Sequence, residues 1–158
     1  MIEIYTDGAC YPNPGIGGWA FIILNDGVEV GRHSGGSANA TNNTMELTAA
    51  LKALQWIREY PGHGKEIEIV IYTDSQYLIQ GITKWIKGWQ ARQWTTRQHE
   101  PVKNKDLWQS IAHLISKQVK WKWVRGHNEN RYNEIVDVMA VEARRRVTHG
   151  NTQAIHSA

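Results

Sequence analysis

Hydrophobic and polar positions alternate with period two from Ile2 to Asp7, and the alternation stops at Gly8, which predicts a strand ending in a turn. Tyr11-Pro12-Asn13-Pro14-Gly15-Ile16-Gly17-Gly18 is dense in turn formers and predicts a loop, followed by an apolar strand from Trp19 to Leu24. Asn25-Asp26-Gly27 suits a tight hairpin because Asp-Gly tolerates positive φ, and Val28 to Ser34 runs back as a third antiparallel strand. After Asn42-Asn43 the apolar positions shift to helical spacing (Leu47, Ala50, Leu51, Leu54, Ile57) until Tyr60-Pro61-Gly62 ends the pattern. Glu66 to Thr73 holds the β-rich run Ile69-Val70-Ile71-Tyr72, expected of a central strand covered on both faces. Helical patterns then occupy Gln76 to Lys87, broken near Gly81, and Val102 to Gln118. A last strand spans Lys120 to Val124, and a closing helix Asn130 to Val147. The final turn of that helix carries Arg144-Arg145-Arg146, where cations suit the macrodipole. Residues 148–158 are small, polar and without period, and are expected to form a structureless tail. The order βββαβααβα predicts one α/β domain over residues 1–147, with a mixed sheet flanked by helices.

Composition narrows this picture. A chain of 158 residues with 41% hydrophobic residues supports one sizeable core. The longest apolar run, Trp19 to Leu24, falls far short of a membrane-spanning helix, and no secretory signal is visible. The single Cys10 excludes an intramolecular disulfide and a cysteine-built zinc cage, so the cytoplasm is the default location. Charge is segregated: residues 1–83 carry 4 Lys/Arg against 9 Asp/Glu, net −5, and residues 84–158 carry 14 against 6, net +8. Such asymmetry fits a polyanionic partner held by the second half, and equally a merely solvated basic face.

The acids of the first half suggest chemistry. Ile4-Tyr5-Thr6-Asp7 recurs as Ile71-Tyr72-Thr73-Asp74, each at the end of a strand-like run. A hairpin and a helix separate the two strands, the kind of crossover that makes neighbours parallel. In register, Asp7 and Asp74 would stand about 5 Å apart at the carboxyl ends, where α/β sheets place ligands. Two ionised carboxylates that close require a proton or a cation between them, and a hard divalent cation suits an all-oxygen site. The competing reading is that each Asp simply caps a turn. Glu46 lies three residues after Asn43 and so fits a capping box, yet it also borders the helix face turned to the sheet. Asp137 sits between Val136 and Val138 inside the closing helix, an unusual surround for a solvated acid.

Taken together, Thr6-Asp7-Gly8-Ala9-Cys10, Asn13-Pro14-Gly15, Thr41-Asn42-Asn43 with Met45-Glu46-Leu47, Thr73-Asp74-Ser75-Gln76-Tyr77, Trp123-Val124-Arg125-Gly126-His127 and Asn133-Glu134 with Asp137 form an ordered set. The chain resembles a type 1 ribonuclease H of the bacterial ribonuclease HI kind over residues 1 to about 147. The resemblance implies a ribonuclease H-like, five-stranded mixed sheet with three antiparallel strands followed by two parallel ones. It implies that Asp7, Glu46, Asp74 and Asp137 are catalytic carboxylates holding two Mg²⁺ ions, with Mn²⁺ able to substitute. Two such ions about 4 Å apart can promote attack by water and stabilise the leaving oxygen of a phosphodiester. Hydrolysis of the RNA strand of an RNA/DNA hybrid, leaving 5′-phosphate and 3′-hydroxyl ends, is the implied reaction. His127 corresponds to the family's histidine, with a part in proton transfer or product departure.

The resemblance further implies that Cys10, Asn13, Asn42, Asn43 and Gln76 contact the RNA strand, where the 2′-OH separates RNA from DNA. Thr41 and Asn104 would help hold a DNA phosphate, and Tyr77 would line the DNA channel. Residues 84–105 carry six Lys/Arg against Glu100, with Trp85, Trp89 and Trp94 interleaved. Tryptophans at that spacing are commonly core, but a dense cationic flank fits phosphate contacts and stacking. By resemblance this is the protrusion that grips DNA through Trp85, Lys87, Trp89, Arg92 and Trp94. Gln90-Ala91-Arg92-Gln93 is less basic than the cluster common in bacterial members, and the loop after His127 lacks a glycine often found there. A monomer acting on hybrids without membrane association is expected. A hybrid-binding module without catalysis, or a transposase or junction resolvase on the same core, are the alternatives.

Overall fold

A computed structural model describes residues 1–60, 67–125 and 130–147, and the backbone of 154–157. Three long strands open the chain: β1 (Ile2–Cys10), β2 (Gly15–Asn25) and β3 (Val28–Ala40). They pair antiparallel in sequence order. Asp26 and Gly27 both take positive φ (48° and 82°), as the Asp-Gly hairpin requires. Several strand limits differ from those expected, and β3 runs on past Ser34 to Ala40. β1 continues past Gly8 to Cys10, and β2 begins at Gly15, because Ala9 and Cys10 pair with Gly18 and Gly17 across the ladder. Glycine is a weak strand former alone, but here the neighbouring strand supplies the hydrogen bonds that its own pattern does not announce.

Helix α1 (Asn42–Arg58) leads to β4 (Ile69–Thr73), which lies parallel to β1 with Ile4 opposite Ile71 and Tyr5 opposite Tyr72. β5 (Val119–Trp123) adds parallel to β4. The five expected strands thus form the expected mixed sheet. The expected tail needs correction: Ala154–Ser157 form β6, antiparallel to Arg32–Gly35 of β3, and the order becomes β5-β4-β1-β2-β3-β6. The exposed main-chain groups of an edge strand accept such a partner whatever its side-chain period.

Between β4 and β5 the chain forms α2 (Gln76–Gln80), a π-helical turn over Gly81–Trp85, α3 (Ile86–Ala91) and α4 (Lys105–Leu114). The irregular turn falls where the expected helix breaks. At Gly81 any Cβ would run into the Trp108 ring, so only glycine lets these helices touch. α4 is shorter than expected, since Asn104 at φ 60° starts it late and Ile115 is extended. Finally, α5 (Arg131–Arg145) begins at Asn130, whose side chain accepts from the amides of Tyr132 and Asn133.

Two cores result. α1 and α4 cover one sheet face with Ile4, Phe21, Ile23, Ile71, Leu47, Leu54, Trp108 and Ile111. α5 covers the other with Tyr5, Ala20, Ile22, Val136 and Ala140. Close approach on this second face depends on Gly18, where a Cβ would meet the Arg144 amide nitrogen at 2.5 Å.

Candidate functional site

The β1/β4 register sets Ile4 opposite Ile71 and Tyr5 opposite Tyr72, which brings Asp7, inside β1, close to Asp74, just past the end of β4. Asp7 is almost fully buried, Asp74 partly exposed. Glu46 reaches them from α1. A Cβ on Gly8 would stand 2.6 Å from the Glu46 amide nitrogen and from the Met45 carbonyl carbon, so the bare glycine lets the first turn of α1 lie on β1. Carboxylate oxygens of Asp7, Glu46 and Asp74 all come within 4.8 Å of one another. Asp137, half-buried on α5, lies outside this group of three, but its charge adds to theirs at Asp7.

Glu46 is not part of the helix cap. The capping box belongs to Thr41 and Thr44: Thr41 Oγ1 accepts from the Thr44 amide at 3.0 Å, and Thr44 Oγ1 accepts from the Thr41 amide at 2.8 Å. Glu46 instead turns inward, and its Oε1 is buried without a hydrogen-bond partner among the described residues. An orphaned carboxylate oxygen costs several kcal/mol in the absence of a proton or cation. The electrostatics agree. Burial, followed by the Asp74 charge, pushes Asp7 up to about 8, and burial with the charges of Asp7 and Asp74 pushes Glu46 well above the usual carboxylate range. Such a cluster wants positive charge, and oxygen-only donors at these separations fit a hard divalent cation.

Hydrogen bonds that the sequence did not announce fix the Asp74 turn. Trp123 Nε1 donates to the Asp74 carbonyl at 3.1 Å, and the Val124 amide donates to the Thr73 carbonyl at 2.8 Å. Ser75 caps α2, accepting from the Leu78 amide at 3.1 Å, while its own amide donates to Thr73 Oγ1 at 3.1 Å. Ser75 is readable as an N-cap ahead of Gln76. Trp123 is not, because its role depends on the β4/β5 register.

On one side of the carboxylates, Asn13 Oδ1 accepts from the Asn42 amide at 3.1 Å, tying the β1–β2 loop to the start of α1. Cys10 Sγ donates to the carbonyls of Pro12 and Ala40 at 3.2 and 3.4 Å. Thr41 is half-buried and occupied in its cap, Asn43 is half-buried, and Asn42 and Gln76 are exposed. On the other side, Tyr77 accepts at its hydroxyl from Asn104 Nδ2 (3.1 Å) and Trp108 Nε1 (3.0 Å). Trp85, Trp89 and Trp94 are half-buried and pack ring to ring, with Trp85–Trp89 centroids 5.7 Å apart and Trp89–Trp94 6.1 Å apart. Their inward faces therefore serve packing, while Lys84, Lys87, Arg92, Arg97, Lys103 and Lys105 are all exposed around them. His127 lies outside the described residues. No helix among the described residues is long and apolar enough to cross a membrane.

Comparison with known proteins agrees with this geometry. A family model described as RNase H matches residues 1–145. The ribonuclease H of Treponema denticola is 47% identical over 153 residues, covering 90% of this chain and 96% of the relative. That of Pseudomonas syringae pv. syringae is 44% identical, covering 94% and 97%. Among solved structures, LC9-RNase H1, described as a type 1 RNase H with the type 2 active-site motif, superposes with a TM-score of 0.77 at 26% identity, covering 99% of this chain and 77% of that one. LC11-RNase H1, solved in complex with an RNA/DNA hybrid, gives 0.73 at 21% identity, covering 92% and 98%, a likeness of fold. With the family model spanning nearly the whole chain and relatives this similar along almost their full length, the chain belongs to the ribonuclease H family.

Proposed function

We propose that the chain hydrolyses the RNA strand of RNA/DNA hybrids with two Mg²⁺ ions held by Asp7, Glu46, Asp74 and Asp137, Mn²⁺ being able to substitute, and leaves 5′-phosphate and 3′-hydroxyl ends. The observation that carries it is the meeting of three carboxylates within 4.8 Å, one of them with an orphaned buried oxygen. Bound divalent ions would supply Lewis acidity at the phosphodiester and offset charge on the displaced oxygen. The protein's own part is to hold the carboxylates in place. Asp7 Oδ1 accepts from the Gly8 amide at 2.9 Å, which helps fix the carboxylate.

Substrate placement follows from the two flanks. Cys10, Asn13, Asn42, Asn43 and Gln76 would face the RNA strand, where amide side chains can both donate to and accept from a 2′-OH. Thr41, Tyr77, Asn104, Trp85, Lys87, Trp89, Arg92 and Trp94 would take the DNA strand, the exposed cations meeting phosphates and the outer ring edges meeting sugars. His127 would assist proton transfer or product departure.

The test incubates one hybrid, each strand labelled in turn, with and without Mg²⁺, beside duplex DNA and duplex RNA. RNA-strand cutting confined to the hybrid and dependent on Mg²⁺ is expected. Cleavage of duplex DNA, or undiminished cleavage in chelator, overturns the reading.

A further inference from the structure

The closing turn of α5 holds a cation cluster that the proposed site does not use. Arg145 and Arg146 are exposed and Arg144 is half-buried, and none of the three has a carboxylate partner among the described residues. The helix macrodipole explains positive charge in a last turn but not the direction of Arg144. Its guanidinium lies 5.8 Å from the centroid of the Tyr11 ring. Tyr11 is 73% exposed in the loop between β1 and β2, flanked by Cys10 and close to Asn13. Burial raises the Cys10 thiol, and the Gly15 backbone and the nearby Arg144 charge oppose that rise.

Position on α5 sets where this corner lies. Arg144 follows Asp137 by seven residues, two turns along one helix face, so roughly 10 Å of helix axis separates them. The helix lies close on the sheet here, because Gly18 lets the Arg144 backbone rest directly on β2. The helix that carries Arg144 covers the sheet face opposite the one that the protrusion's tryptophans pack with. Trp89, Trp94 and Trp108 pack with the core under α1, whereas α5 covers the reverse face with Val136 and Ala140. A duplex laid across the end of the sheet would meet the protrusion with one strand and the Tyr11 corner with the other.

We propose that Tyr11 and Arg144 form a second anchor for the RNA strand, the guanidinium taking a phosphate and the phenol ring lying against a neighbouring sugar or base. This rests on the hybrid-cleaving reading above. Arginine suits the task because its planar fork can pair with a phosphate while one face remains stacked on an aromatic ring. An aromatic ring this exposed contributes little to the fold, so its loss leaves the fold intact.

The experiment measures hybrid affinity across a salt series for the wild type, Arg144→Ala, Tyr11→Ala and Tyr11→Phe, with Ca²⁺ replacing Mg²⁺ to suppress turnover, and follows melting temperature in parallel. Arg144→Ala should weaken binding roughly tenfold at low salt and lower the log–log salt slope by about one. Tyr11→Ala should weaken binding at an unchanged slope, and Tyr11→Phe should restore it. With p-benzoylphenylalanine in place of Tyr11, photocrosslinking should label the RNA strand. An unchanged slope in a folded Arg144→Ala protein, or a crosslink to the DNA strand, overturns the anchor. Failure of the wild type to cut hybrids in Mg²⁺ would instead refute the underlying function, so the two are separable.

Discussion

Asp7 is the residue on which the site's electrostatics converge. It is buried, faces Asp74, Glu46 and Asp137, and is pushed up to about 8 from an ordinary value of 3.8. Between those values the folded protein keeps a proton that the unfolded chain releases, so the contribution of Asp7 to stability is complete below about pH 4 and fades as pH rises through 8. Glu46 shifts in the same direction. Metal-free protein should therefore lose melting temperature steadily from pH 5 to pH 9, and Asp7→Asn should flatten that profile and melt higher at its alkaline end. A wild-type profile that rises with pH would contradict the buried, crowded carboxylate. The same substitution removes a proposed cation ligand without touching the basic protrusion. Cleavage should fall by at least about a hundredfold while hybrid affinity in Ca²⁺ stays within a few-fold of wild type, as a filter-binding assay would read.

Among the elements, the contact between β1 and the first turn of α1 decides whether Glu46 arrives. Gly8→Ala places a methyl against the Met45 and Glu46 backbone at 2.6 Å, and backbone cannot swing aside as a side chain can. A loss of about 1–3 kcal/mol in urea denaturation is expected, together with weaker Mg²⁺ binding by calorimetry. Gly27→Ala is the contrast, since that turn glycine has φ +82° and open space around it. It should cost about 1 kcal/mol and leave cleavage unchanged, whereas equal effects of both on cleavage would show that helix placement does not matter. These elements also show what the sequence discloses and what it withholds. The Asp7–Asp74 pairing was legible because the repeated Ile-Tyr-Thr-Asp tetrapeptide is itself the register. Glu46 was ambiguous, because a capping box and an inward-facing ligand produce the same local pattern until Thr41 and Thr44 are seen to share the cap. The Gly15–Gly18 ladder and the Trp123 bond to Asp74 were hidden for another reason. Both arise from pairing between strands, which a local pattern does not encode. The π-helical turn at Gly81 depends likewise on Trp108, far along the chain.

Over the whole molecule, the opposed charges of the two halves acquire a spatial meaning. Three of the nine acids of the first half, Asp7, Glu46 and Asp74, crowd together where β4 ends beside β1, and there they would repel a nucleic acid in the absence of cations. The second half supplies the compensating charge from exposed side chains on α3, the loop that follows it and α4, which stand on rings packed against Trp108. Affinity for a hybrid should then be governed by counterion release at the protrusion, with chemistry confined to the carboxylates. Neutralising Lys87, Arg92 and Arg97 together with Gln tests that division. All three are exposed, so folding should be spared, and the log–log slope of binding against salt should drop by up to about three, each phosphate contact contributing close to one. Cleavage at saturating hybrid should remain near the wild-type rate, because none of the three faces the carboxylates. If the slope held and the saturated rate collapsed instead, the cations would be acting at the reaction centre, and the separation of grip from chemistry would be wrong.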